Sequence, residues 1–135
     1  MIWLKAWVAG FVATLLFHQG VMTLFWLAGA VPAAPFDMTP VPPLSVPRVI
    51  SLAFWGGVWG IPVWALARRW SGAGRWLAAV LAGAVGPTAV AMLVVFPLKG
   101  LAVSTATVLG GLLVNAAWGL GVACVMVWWL RVPAR

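Results

Sequence analysis

Long apolar runs separated by short breaks organise this chain, and no local motif competes with that pattern. Four runs, Ala6 to Ala30, Val49 to Ala67, Trp76 to Phe96 and Ala102 to Leu130, are long enough to cross a hydrocarbon layer. Such a layer is ~30 Å thick and takes about 20 helical residues to span. Backbone groups find no partner in lipid, so each run is predicted to be a helix. The first connection, residues 31–48, contains VPAAPFDMTPVPPLSVP and six of the ten prolines. That density excludes a helix and favours extended or polyproline II backbone. Ser45 is the predicted N-cap of the second helix, with Pro47 in its first turn. The second connection, RRWSGAGR at residues 68–75, is short and basic, and the third, PLKG, is shorter still. Short connections make consecutive helices antiparallel neighbours. The predicted fold is all-α: one polytopic, antiparallel four-helix membrane bundle over residues 1–135.

Composition agrees with the pattern. Hydrophobic residues form 65% of the chain and charged ones 7%, against roughly half and a quarter in soluble domains. A chain this short encloses no large aqueous cavity alone, so a pore would need several copies. The formal charge of +7 does not indicate nucleic acid, because the eight Lys and Arg are scattered between apolar runs and form no basic face. They read as topology signals. With the N-terminus in the cytoplasm, Lys5, Arg68, Arg69, Arg75, Arg131 and Arg135 lie inside and only Arg48 and Lys99 outside. The excess of inside charge predicts both termini in the cytoplasm. Trp3, Trp7, Trp70, Trp76, Trp128 and Trp129 then gather at the same interface, where an indole keeps its ring in the acyl region and its N–H in water. Lys5, the first apolar run and the small residues of LAGAVPAA also resemble a cleavable signal peptide. That run is longer than the usual stretch of about 7–15 residues and is interrupted by His18 and Gln19, so it is read as a retained helix.

Small residues mark the expected packing faces. In the second helix Ala53, Gly56 and Gly60 share a face, and in the third Ala79 and Gly83 do, beside Ala82 and Gly86. In the fourth, Thr107, Gly111, Asn115, Gly119 and Ala123 recur every fourth position. Lipid tails are as apolar as leucine, so membrane helices associate by close packing and hydrogen bonds, which small residues permit. These seams are expected to hold the chain's own bundle together, with an oligomer interface as the other use. Pro62 and Pro87 are expected to kink their helices, with Thr88 near the freed carbonyls.

Chemistry-bearing residues are few. His18, Gln19, Thr88 and Asn115 fall near the midpoints of their runs and form a candidate polar layer. Its plain reading is structural: neutral His18 hydrogen-bonds to Asn115 or a backbone carbonyl and sets helix register. Ligation of a metal, haem or pigment by His18 is one alternative, and a titrating or solute-binding role another. No other cofactor or metal site is predicted, since Cys124 is the single cysteine. Asp37 is the only carboxylate, and neither a second acid nor a phosphate-binding glycine loop is visible, so no enzyme is expected. Arg48, Arg68, Arg69 and Arg75 are candidates for lipid headgroups as well as topology.

The segments FHQG, PFDMTPVPPLSVP and VISLAFWGGVWG resemble a family of small, uncharacterised four-helix inner-membrane proteins of proteobacteria. The likeness covers the first half of the chain. It implies a bacterial inner-membrane location and the four-helix layout, and assigns no functional residue. Small multidrug transporters have a similar size, but they rely on a membrane-embedded glutamate in the first helix, and this chain has no glutamate. The leading expectation is a non-catalytic accessory or scaffold subunit of the bacterial inner membrane, acting by helix packing against itself or against other membrane subunits. The alternative is an oligomeric channel or carrier for a small neutral or weakly acidic solute, using the polar layer.

Overall fold

A computed structural model describes residues 1–132; Arg135, counted above among the inside charges, lies outside the described residues. Four helices dominate: α1 (Ile2–Leu27), α2 (Arg48–Ala67), α3 (Gly72–Leu98) and α4 (Thr105–Trp129). Each is long and apolar enough to cross a membrane. Their ends depart from the sequence expectation for identifiable reasons. α1 begins at Ile2 rather than Ala6, because Lys5 does not terminate it: the Lys5 Nζ donates to the Leu130 carbonyl at 3.1 Å, beyond the end of α4. α3 begins at Gly72 rather than Trp76, since Gly72 itself takes the left-handed turn, at φ +53°, and the helix follows at once. α4 begins at Thr105, where Ser104 and Thr107 form a reciprocal capping box. Thr107 is therefore a capping residue at the head of the small-residue ridge.

Consecutive helices are antiparallel. The Arg68 guanidinium at the end of α2 lies 5.6 Å from the Trp3 ring at the start of α1. Trp76 at the start of α3 packs on Trp128 at the end of α4, with ring centroids 5.2 Å apart. The helices run on through Pro62 and Pro87. π-helical turns occur at Thr14–His18, Ala91–Val95 and Val125–Trp129, the second beginning four residues after Pro87.

The proline-rich connection is an ordered cap. Pro40–Val41 and Val46–Pro47 pair as a minimal antiparallel ribbon, and Ser45 sits in the turn between them at φ +53°. Ser45 is thus not the N-cap of α2. Pro47 occupies that position, and the first helical N–H groups, of Arg48 and Val49, donate to the carbonyls of Thr39 and Asp37, both at 2.9 Å. Loop backbone supplies what a capping side chain would otherwise provide.

Packing is closest at two glycine seams. Between α1 and α2, a Cβ added at Gly60 would meet the Gly10 Cα at 3.0 Å, and one at Gly10 would run into the Gly56 carbonyl. Between α3 and α4, a Cβ at Gly83 would meet the Gly119 Cα at 2.6 Å, and one at Gly119 would collide with the Ala79 carbonyl. The remaining contacts are with side chains. Gly86 lies under the Trp59 ring, Gly111 faces Thr88 and Met92, and Gly121 faces Phe17. The buried core between the two pairs is made of Ala13, Val63, Trp64, Trp118, Val122 and Met126, among others. Large aliphatic side chains point outward instead: Leu93 is 78% exposed and Leu113 60%.

Substitutions along α4 should separate these environments. Gly119→Ala should destabilise by about 1–3 kcal/mol, as overpacking against backbone does. Gly111→Ala should cost less, since the Met92 side chain can yield. Gly110→Ala meets nothing within 4 Å and should be neutral or slightly stabilising. Thermal unfolding in detergent reads all three, and equal effects would show that the α3–α4 seam does not carry the packing.

Candidate functional site

Polar side chains fall into four main groups, at different places in the bundle. The four residues of the expected polar layer divide between two of them. Thr88 on α3 and Asn115 on α4 form a pair, with Asn115 Nδ2 donating to Thr88 Oγ1 at 2.9 Å. The Thr88 hydroxyl thus accepts from the facing helix, and Thr88 is buried. His18 does not join them. Its side-chain neighbour is Gln19, with Nε2 to Nδ1 at 3.5 Å, and among the described residues neither Asn115 nor a backbone carbonyl bonds to the imidazole. His18, Thr88 and Asn115 all lie within about one turn of their helix midpoints and toward the same end of the bundle, so it is the facing of the helices and not depth that separates His18 from the pair.

Gln19 has a task the sequence does not advertise. Its Oε1 accepts from the Phe36 backbone N–H at 2.7 Å, so a buried side chain of α1 holds the proline-rich loop against the bundle. One residue further on, Asp37 pairs with Arg48 at 2.8 Å and accepts from the Thr39 N–H at 2.8 Å. Thr39, through its side chain and then its backbone N–H, holds the Asp37 carboxyl below its usual range, with the Arg48 charge adding to the effect. Arg48 is therefore engaged by the loop. At so exposed a site the ion pair is a weak tie, and the hydrogen bonds define the geometry.

A third group occupies the opposite end of the bundle. Arg75 was expected in a basic loop, yet it lies in the first turn of α3 and is only 4% exposed. Its Nε donates to the Trp70 carbonyl at 3.3 Å, and its guanidinium stands 5.8 Å from the Trp64 ring. Packing against indole is a role open to a guanidinium because its planar face is weakly hydrated. Trp64 Nε1 is the one buried side-chain polar atom without a hydrogen-bond partner among the described residues. Nearby, Trp3, Ala65, Arg68, Arg69, Trp70 and Ser71 line an open cavity of about 670 Å³.

A fourth group, Thr14 and Trp118, binds α1 and α4 at the Gly10 carbonyl. The Gly10 carbonyl accepts from Thr14 Oγ1 at 2.9 Å and from Trp118 Nε1, on α4, at 3.0 Å. Gly10 stands between Ala6 and Thr14 at four-residue spacing, the same small-residue pattern that marks the other helices and a signal in the sequence that would have singled it out. The facing glycines of α2 reveal its use. Among the described residues no three His, Cys, Asp or Glu side chains come together. No protein family, curated protein or solved structure matches this chain.

Gln19→Leu should cost about 0.5–2 kcal/mol by stranding the Phe36 N–H. It should also speed proteolysis within residues 31–45. Asn115→Leu should cost less, about 0.6 kcal/mol, because the Thr88 hydroxyl can turn to its own helix. His18→Leu should leave loop proteolysis at the wild-type rate; a His18 effect larger than that of Gln19 would reverse the assignment.

Acid should loosen the loop in a defined window. The folded carboxyl of Asp37 titrates below its unfolded value, so its contribution is complete above the ordinary carboxylate range and is lost as pH falls through the lowered value. Hydrogen exchange at the Thr39 amide should report the loss. Asp37→Asn should make that exchange faster at neutral pH and remove the acid-dependent step; an unchanged profile would exclude the carboxylate as its cause.

Proposed function

We propose that this chain is a multi-pass protein of the bacterial inner membrane, with both termini in the cytoplasm, and that it works as a non-catalytic accessory or scaffold subunit through helix packing. The observation that carries the reading is the distribution of side-chain size. Glycine and alanine line the closest helix contacts while leucines such as Leu77, Leu93 and Leu113 face outward. In water that arrangement would expose a large apolar surface, but in a bilayer it places the leucines in their preferred solvent.

The polar groups support the same reading over the channel or carrier alternative. Asn115 and Thr88 satisfy one another, and Gln19 is committed to Phe36. A solute path would have to break these bonds. The bilayer itself is the first partner, and a second copy or other membrane subunits would contact the outer faces of the helices. The resemblance of FHQG and the proline-rich segment to small inner-membrane proteins of proteobacteria points the same way. Native mass spectrometry after gentle extraction from the source membrane tests the proposal. An additional chain, or a second copy, retained at constant stoichiometry is the expected result. A monomer that carries solute across vesicles would replace it with the transport reading.

Topology is tested separately. Reporter fusions at Gly72 and Arg135 should report cytoplasm and one at Pro40 periplasm, from the inside excess of Lys and Arg. A periplasmic signal at Gly72 would invert the map.

A further inference from the structure

The basic end of the bundle holds an arrangement that packing does not explain. The cavity of about 670 Å³ lined by Trp3, Ala65, Arg68, Arg69, Trp70 and Ser71 has the size of a small-ligand site, typically about 300–1,000 Å³. Two of its six lining residues are arginines, Arg68 and Arg69. The sequence has a single Asp or Glu, and that residue, Asp37, is tied to Arg48 at the other end of α2. A 20-residue helix separates the two ends by about 30 Å, several Debye lengths at physiological salt. No acidic side chain of this chain can therefore neutralise Arg68 and Arg69.

From the cavity, its paired arginines and the missing acidic partner we propose that this is a binding site for a phosphate-bearing anion, with the headgroup of an anionic phospholipid as the occupant expected at that depth. A planar guanidinium offers two parallel N–H donors, which match two phosphate oxygens. Arg68 is already oriented, because its guanidinium lies over the Trp3 ring at 5.6 Å. Less side-chain freedom is then lost when a ligand binds. Ser71 also lines the cavity, and its hydroxyl is not used to cap α3, so it is available as a further donor. Trp3 and Trp70, both partly exposed, supply indole rings suited to headgroup depth, where they can pack on glycerol and the first acyl carbons.

The same geometry selects against zwitterionic lipids. A choline or ethanolamine ammonium needs an open aromatic face or a carboxylate. Here the lining contains no acid, Arg68 already lies over the Trp3 ring, and the charges of Arg68 and Arg69 oppose a further cation at either indole. A net negative phosphodiester or phosphomonoester meets no such penalty.

The site rests on the membrane reading above, and its test is arranged to fail independently of it. The full chain, purified in neutral detergent, is titrated with phosphatidylglycerol and with phosphatidylcholine and read by native mass spectrometry. The wild type should retain phosphatidylglycerol with at least about a tenfold preference. Arg68→Gln combined with Arg69→Gln should lower that affinity roughly thirtyfold, at about fivefold per arginine. Arg48→Gln, at the other end, should leave it unchanged. Competition with millimolar inorganic phosphate identifies the source: displacement of the lipid assigns the site to free phosphate, and persistence assigns it to the lipid. Equal losses in the double variant and in Arg48→Gln, or no preference in the wild type, would overturn the proposal. Resistance of the double variant to alkaline extraction from membranes reads insertion alone, so a failed site and a failed membrane assignment give different results.

Discussion

The close approach of α1 to α2 at Gly10 is the contact on which the rest of the bundle depends. There the two backbones come into direct contact, since a Cβ at Gly10 would strike the Gly56 carbonyl and one at Gly60 the Ala6 carbonyl. The Gly10 carbonyl then accepts from Thr14 on its own helix and from Trp118 on α4. α4 in turn carries α3 with it through Gly119 and Gly83. Four helices are thus joined through two backbone contacts and one indole bridge. In the bilayer proposed for this chain there would be no water to drive apolar helices together, and packing distance and hydrogen bonding would have to supply the association. A single glycine permits both here.

This way of building a bundle leaves little polar chemistry for other uses. Asn115 is paired with Thr88 and Gln19 with the loop backbone at Phe36. At one end, the proline-rich segment folds into a cap in which Asp37 and Thr39 accept the first N–H groups of α2. Proline suits such a segment because it withholds backbone donors that a short ribbon could not satisfy, while its fixed φ lowers the entropy of the unfolded loop. At the opposite end the arrangement is reversed. Arg68 and Arg69 bring donors and positive charge without a compensating acid, and the buried Arg75 adds to the charge beneath them. The two ends therefore differ in kind: one is internally satisfied, the other is open to an anion.

The residues treated as a polar layer show how far helix spacing carries an inference. Depth along a run is readable because each residue advances a helix by a constant rise, about 1.5 Å, and His18, Thr88 and Asn115 do fall at related depths. Which helices face each other at that depth is not readable. α4 turns Asn115 toward α3, whereas His18 lies on α1 beside Gln19. Arg75 illustrates a second limit. A glycine-rich stretch beside arginines has the composition of a loop, but Gly72 ends the turn so abruptly that Arg75 enters the helix and is covered by Trp64 and Trp70. Ser45 illustrates a third, since an N-cap preference yields when loop carbonyls reach the same N–H groups first.

From sequence alone, the number of helices, their apolar character, the breaks between them and their antiparallel order could all be determined. Those properties depend on run length, proline placement and connection length, which are local in the chain. The small residues at Gly56, Gly60, Gly83 and Gly119 were visible for the same reason, as repeats along one face. Tertiary structure decided the partners: Gly10 with Gly56 and Gly60, Trp118 with the Gly10 carbonyl, Gln19 with Phe36, and Trp3 with Arg68. Each of these joins residues on different elements, and its formation depends on the rotation of one helix against another. That rotation is set by the sum of many weak contacts over a whole face, and no short stretch of sequence encodes it.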